Sequence, residues 1–116
     1  MIYNKIYDFC KVRNVGNVYK NTDKPTPRVQ FLIELLESEN INYELDTFFV
    51  NDVNCYNIVL KGSSSRMVVA HHDIVNAKID NANDNSASVI NAISIKKLMP
   101  EMNVVILDEL PLRIIL

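Results

Sequence analysis

The stretch R-M-V-V-A-H-H-D-I-V-N-A-K-I-D-N-A-N-D-N-S-A-S-V-I-N-A-I-S-I-K-K-L-M-P-E-M-N-V-V-I-L, residues 66–107, decides the fold. It is bounded by two short apolar runs, Arg66 to Ala70 and Asn103 to Leu107. Neither alternates apolar with polar residues, which predicts strands covered on both faces. The first run leads into a polar stretch, His71 to Asn85. Ser86 to Leu98 then carries Val89, Ile90, Ala92, Ile93 and Ile95 at helical spacing, with Pro100 just past its end. Strand, polar loop, helix, strand is a βαβ unit. It predicts an α/β domain with a mixed sheet whose parallel centre is these two strands.

Upstream, the pattern continues in kind. Ile41 to Val50 is rich in β-branched and aromatic residues, and Tyr56 to Lys61 holds Ile58, Val59 and Leu60. With Asn51-Asp52 between them, they predict a hairpin. Before it, Val29, Leu32, Ile33, Leu35 and Leu36 mark a helix at about Pro27 to Glu39, ending near Asn40. Thr26 is the expected N-cap, and Pro27 sits at the first helical position, where its missing N–H does no harm. Residues 1–26 predict an N-terminal helix over Ile2 to Val12 and a loop, the polar stretch Asn14 to Pro27 that holds Gly16, Asp23, Pro25 and Pro27 and runs up to the helix start.

The whole chain has 116 residues, 48% of them hydrophobic, which is enough for one domain with a modest core. That composition excludes a wholly disordered chain, and only 2 Gly and 4 Pro exclude a collagenous or linker-like one. A net charge of -2 argues against a nucleic-acid partner held by bulk charge. No apolar run approaches the roughly 18 residues needed to span a bilayer. The start of the chain has no signal-peptide pattern, so a cytoplasmic location is expected. The two cysteines, Cys10 and Cys55, form no metal-binding pair and read as free thiols filling the core.

The chemistry concentrates where the first apolar run ends. Ligand sites in open α/β sheets gather outside the carboxyl ends of strands. His71 and Asp73, two residues apart, point to the same side of an extended chain, and His72 points to the other. A metal-binding imidazole usually donates its second N–H to a carboxylate, a role Asp73 suits toward His71. Asp84 precedes the helix, where the positive end of the dipole keeps a carboxylate ionised. Taken singly, the histidines read as strand-end residues and Asp84 as a helix cap. Taken together, they predict a metal site.

The pattern Ala70-His71-His72-Asp73, a polar loop, then Asn81-Ala82-Asn83-Asp84-Asn85-Ser86-Ala87-Ser88 and a helix resembles the co-catalytic zinc aminopeptidases. These are two-zinc exopeptidases of a group that also includes carboxypeptidase-like and glutaminyl-cyclase-like enzymes. The resemblance runs from about Arg28 to Asp108. It implies a three-layer α/β/α zinc-exopeptidase-like fold and peptide-bond hydrolysis through two Zn2+ ions, with a peptide as substrate. It implies that His71 and Asp84 bind metal, with Asp84 bridging the two ions and Asp73 orienting His71. After the next strand the family carries an acidic motif, usually Asp-Gly-Glu-Glu. Here Asp108-Glu109 stands in that place, with Glu109 implied as the catalytic residue, the general base toward metal-bound water, and Asp108 as a metal ligand. Ser88 occupies the position of a usual glycine.

The family's later ligands, an Asp and a distant His, have no counterpart here, since no histidine follows His72. The expectation is therefore one partial domain over residues 1–116, truncated from a longer peptidase-like protein and inactive alone. The apolar tail, Leu110 to Leu116, is then an exposed segment suited to self-association. The alternative from a different class is a degenerate domain that keeps the fold and acts as a binding module. A third is a subunit that completes its site with another chain.

Overall fold

The computed structural model describes residues 2–12, 25–50, 53–73 and 85–108. A 3-10 turn, Ile2–Asn4, runs into helix α1, Lys5–Cys10, and α2 follows at Pro27–Ser38. Strands β1, Glu44–Val50, and β2, Val53–Leu60, precede β3, Met67–His71. Helix α3, Ala87–Leu98, then returns the chain to β4, Asn103–Leu107. The result is a small α/β domain with a four-stranded mixed sheet in the order β1-β2-β4-β3.

The ends of α2 show how local chemistry sets these boundaries. Thr26 is extended and its carbonyl accepts from the Gln30 N–H at 2.9 Å, as an N-cap requires. Its hydroxyl, however, makes no cap hydrogen bond, so Pro27 rather than the expected Thr26 side chain carries the start signal. At the other end Asn40 adopts φ 55°, the left-handed conformation Asn tolerates best after Gly. The Ile41 N–H then bonds the Leu36 carbonyl at 2.9 Å and the Asn40 N–H that of Glu37 at 3.1 Å. This paired closure satisfies the last carbonyls and drops Ile41 onto the core.

The sheet is built from one antiparallel hairpin and one βαβ crossover. The β1–β2 register ends at Val50↔Val53, so only Asn51 and Asp52 join the strands; that turn lies outside the described residues. β3 and β4 pair in parallel, with Val68 beside Val104 and Ala70 beside Ile106. The other side of β4 is taken by β2, antiparallel, with Ile58 beside Ile106. This moves the expected centre of the sheet. β4 and β2 are interior, and β3 is at the edge among the described strands, because the hairpin occupies the side of β4 away from the crossover.

Residues of one sheet face, Ile58, Leu60, Ala70, Val104 and Ile106, share a single buried cluster with Phe9 of α1, Val29, Leu32 and Leu36 of α2, and Val89, Ile90 and Ile93 of α3. Each such Leu, Ile or Phe contributes about 1.5–3 kcal/mol by leaving water. The N-terminal helix is thus part of the same core and not a separate piece. On the opposite face Met67 is 60% and Val69 54% exposed, so the apolar run of β3 is covered on one side only by the described residues. The lack of alternation in Met67-Val68-Val69-Ala70 does not distinguish these two cases.

Below β4 the chain is closed by Asn103. Its side-chain NH2 donates to the Ser64 and Arg66 carbonyls at 2.7 and 3.0 Å, and its oxygen accepts from the Gly62 N–H at 2.8 Å. Gly62 is pressed so close to the next turn that a Cβ there would lie 2.2 Å from the Glu101 carbonyl oxygen. We expect Gly62→Ala to cost about 1–3 kcal/mol through forced backbone displacement, seen as a lower urea midpoint with unchanged slope.

Candidate functional site

The carboxyl ends of β3 and β4 lie side by side, and the chemistry-bearing residues separate there by the alternation of the strand. Val68 and Ala70 face the helices, and the next residue of that series, His72, is 1% exposed. His71 turns to the opposite face with its side chain 17% exposed. Asp73 is 5% exposed and turns back toward His71. Its carboxylate Oδ1 lies 3.4 Å and its carbonyl oxygen 3.2 Å from Nδ1 of His71. Both of these atoms are acceptors, so they suit a neutral ring with its proton on Nδ1 and its lone pair on Nε2.

The structure thus brings His71 and Asp73 together. Asp108 shares with Asp73 the neighbourhood of His72 and Cys55, and its own hydrogen bonds run to β2. One residue past β4, its Oδ2 accepts from the Tyr56 N–H at 3.3 Å, and its own N–H donates to the Asn57 side-chain oxygen at 3.0 Å. That engages it with β2 and sets its charge beside His72 and Cys55. Asp84 and Glu109 lie outside the described residues, as does the apolar tail 110–116. Among the described residues, no three His, Cys, Asp or Glu side chains converge on a point that could hold a metal.

Behind the His71–Asp73 pair lie His72, which strand alternation turns inward, and Arg28, to which no motif in the sequence gives a role. His72 Nε2 lies 2.7 Å from the Tyr56 carbonyl, so it donates its N–H there, and among the described residues buried Nδ1 has no hydrogen-bond partner. Burial pushes its pKa below the ordinary value, an effect the nearby Asp108 and Asp73 charges oppose and Arg28 reinforces. The folded chain therefore holds His72 neutral. The unfolded chain takes up a proton near pH 6.5 that the folded chain refuses. Stability from this group is complete above pH 6.5 and declines as the pH falls below it, by up to about 1.4 kcal/mol per pH unit. Urea unfolding of the metal-free chain between pH 7.5 and 5.5 checks this, and His72→Gln, which keeps a donor for Tyr56, is expected to flatten the slope.

Arg28 opens α2 and is fully buried. Its Nε donates to the His72 carbonyl at 2.7 Å, and Nη1 donates to the Phe9 and Val12 carbonyls at 3.1 and 3.2 Å. Nη2 reaches the Ser86 hydroxyl at 3.1 Å, and the guanidinium lies 3.9 Å over the Phe9 ring. The start of α3 is tied to the same strand end a second time, by Asn85 Nδ2 donating to the His71 carbonyl at 3.4 Å. One side chain therefore joins α1, the end of β3 and the entry to α3. The signal in the sequence is position: Arg28 precedes Leu32 and Leu35 by four and seven residues, on the apolar stripe rather than the wet face.

Cys55 faces the same corner. Burial first, then the Asp108 and Asp73 charges, push its thiol up to about 12, so it stays protonated. Cys10 is also buried, its Sγ donating to the Tyr7 carbonyl, and neither forms a disulfide. Among the described residues no helix is long and apolar enough to cross a membrane. No protein-family model and no curated protein matches this chain.

Proposed function

We propose that this chain carries part of a zinc-dependent hydrolase site of the aminopeptidase type, with His71 as a metal ligand and Asp73 as the carboxylate that orients it. The observation that carries the reading is the position of Asp73 Oδ1 and its carbonyl at Nδ1 of His71, at the carboxyl end of β3. It supports a ring with the proton on Nδ1 and the lone pair on Nε2, one nitrogen bonded to protein acceptors and the other open to a metal, as zinc-binding histidines require. Nitrogen and carboxylate oxygen are also a donor set that zinc accepts. A bound zinc would lower the pKa of water and polarise a peptide carbonyl.

The residues of the chain divide the remaining work. Asp73 keeps the imidazole in one tautomer and stabilises the charge it donates. Asp84, just ahead of α3, is the second ligand in this reading, and Glu109 the general base that would take the proton from water. The three-layer fold belongs to the same proposal, since a second helical layer would cover Met67 and Val69 on the open face of the sheet.

Calorimetric titration with zinc tests the reading. We expect about one equivalent bound by the wild-type chain, with affinity reduced about tenfold or more in His71→Ala, in Asp84→Ala and, through the orienting carboxylate, in Asp73→Asn. No heat above background in a folded wild-type chain would set the metal reading aside in favour of a domain that keeps the fold without the chemistry.

A further inference from the structure

We infer that Arg28 is a positioning residue for this site: it fixes the His71–Asp73 segment against the entry to α3 and so holds the His71 imidazole in a single tautomer. The inference rests on the metal-site reading for its functional meaning, but its geometry stands on described contacts alone. The bond from Nε to the His72 carbonyl, at 2.7 Å, grips the peptide between the two residues whose side chains must meet. The bond from Nη2 to Ser86 Oγ, at 3.1 Å, grips the first turn region that follows the polar loop. A planar guanidinium holds these two directions at a fixed angle, which a flexible ammonium does not.

The backing is equally rigid. The Phe9 and Val12 carbonyls fix Nη1 from α1 and the residues just past it, and the Phe9 ring lies against the guanidinium plane at 3.9 Å. Phe9 is itself stacked on Phe31 of α2, with ring centroids 5.3 Å apart. Movement of the fork is therefore opposed from the core side, and the peptide of His72 follows the fork. Asn85, donating to the His71 carbonyl, gives the strand end a second tether to the same region. With both tethers acting together, α1, α2 and the entry to α3 hold the strand end that carries His71 and Asp73.

The test uses Arg28→Lys, which keeps the charge but loses the fork, and Ser86→Ala, which removes one contact and spares the core. Long-range 15N NMR of the metal-free chain reads the His71 tautomer directly, and zinc titration reads affinity. We expect wild-type His71 to be almost wholly the Nδ1–H tautomer. Both variants are expected to remain folded with mixed tautomers, and Arg28→Lys to bind zinc about tenfold or more weakly. If Arg28→Lys does not fold, the Ser86→Ala tautomer decides. Folded variants with the wild-type tautomer and affinity would overturn the inference, as would mixed tautomers in the wild type. If the wild-type chain binds no zinc, the metal reading fails while the tautomer comparison still decides the role of Arg28.

Discussion

Arg28→Met is expected to destabilise the chain by about 3–5 kcal/mol, lowering the thermal midpoint by roughly 10–20 °C. Methionine fills much of the same volume, so the cost is not that of a cavity. It comes from the acceptors left behind: the carbonyls of Phe9, Val12 and His72 and the hydroxyl of Ser86 all lose a donor where water has little access. It also comes from charge, because the buried Asp73 and the neighbouring Asp108 would lose the cation that shares their corner with His72. Equilibrium urea unfolding measures the effect. A loss below about 1 kcal/mol would mean that those acceptors find water or other donors, and that Arg28 is not the joint between α1, β3 and α3.

Lys96→Met is expected to cost about 2–3 kcal/mol, by the same physics at the opposite end of the crossover. Lys96 is 8% exposed, and its ammonium donates to the carbonyls of Lys61, Pro100 and Met102. Those three carbonyls belong to the exit of β2, the turn after α3 and the approach to β4. The ammonium therefore does for the lower end of the sheet what the guanidinium does for the upper end. Lys97, one residue on, is the control: it donates to the Glu39 carbonyl at the surface, and Lys97→Met should change the urea midpoint little.

These two cations also show what the sequence made legible and what it did not. The order of elements was readable because each has a strong local signal: Pro27 and Asn40 bracket α2, Pro100 follows α3, and Asn103 to Leu107 form β4 residue for residue. Sheet order was not readable, since nothing in Met67 to His71 records whether the hairpin joins β3 or β4. Arg28 and Lys96 were passed over because a charged residue reads as a wet face. Both stand at helical intervals from apolar neighbours, Arg28 four before Leu32 and seven before Leu35, Lys96 three after Ile93 and seven after Val89. A cation on an apolar stripe near a helix end is a sign of a buried clasp on backbone carbonyls.

The site divides similarly. The pairing of His71 with Asp73 follows from the period of two along a strand, and the structure places them in contact. The same period turns His72 inward, so it takes a place in the core that its neighbour cannot. Asp108 lies one residue beyond β4, where alternation no longer governs, and the Tyr56 N–H takes its carboxylate. No spacing rule gives that contact, because it depends on the antiparallel register of β2 against β4.

X-ray absorption at the zinc edge of the chain loaded with one equivalent of zinc tests the His71 site most directly. With His71 as ligand and Asp73 behind it, the first shell holds only nitrogen and oxygen at about 2.0–2.1 Å, with outer-shell scattering from a single imidazole that disappears in His71→Ala. A sulfur shell at about 2.3 Å would place the ion on Cys10 or Cys55. That result, or an imidazole signal unchanged in His71→Ala, would contradict the assignment.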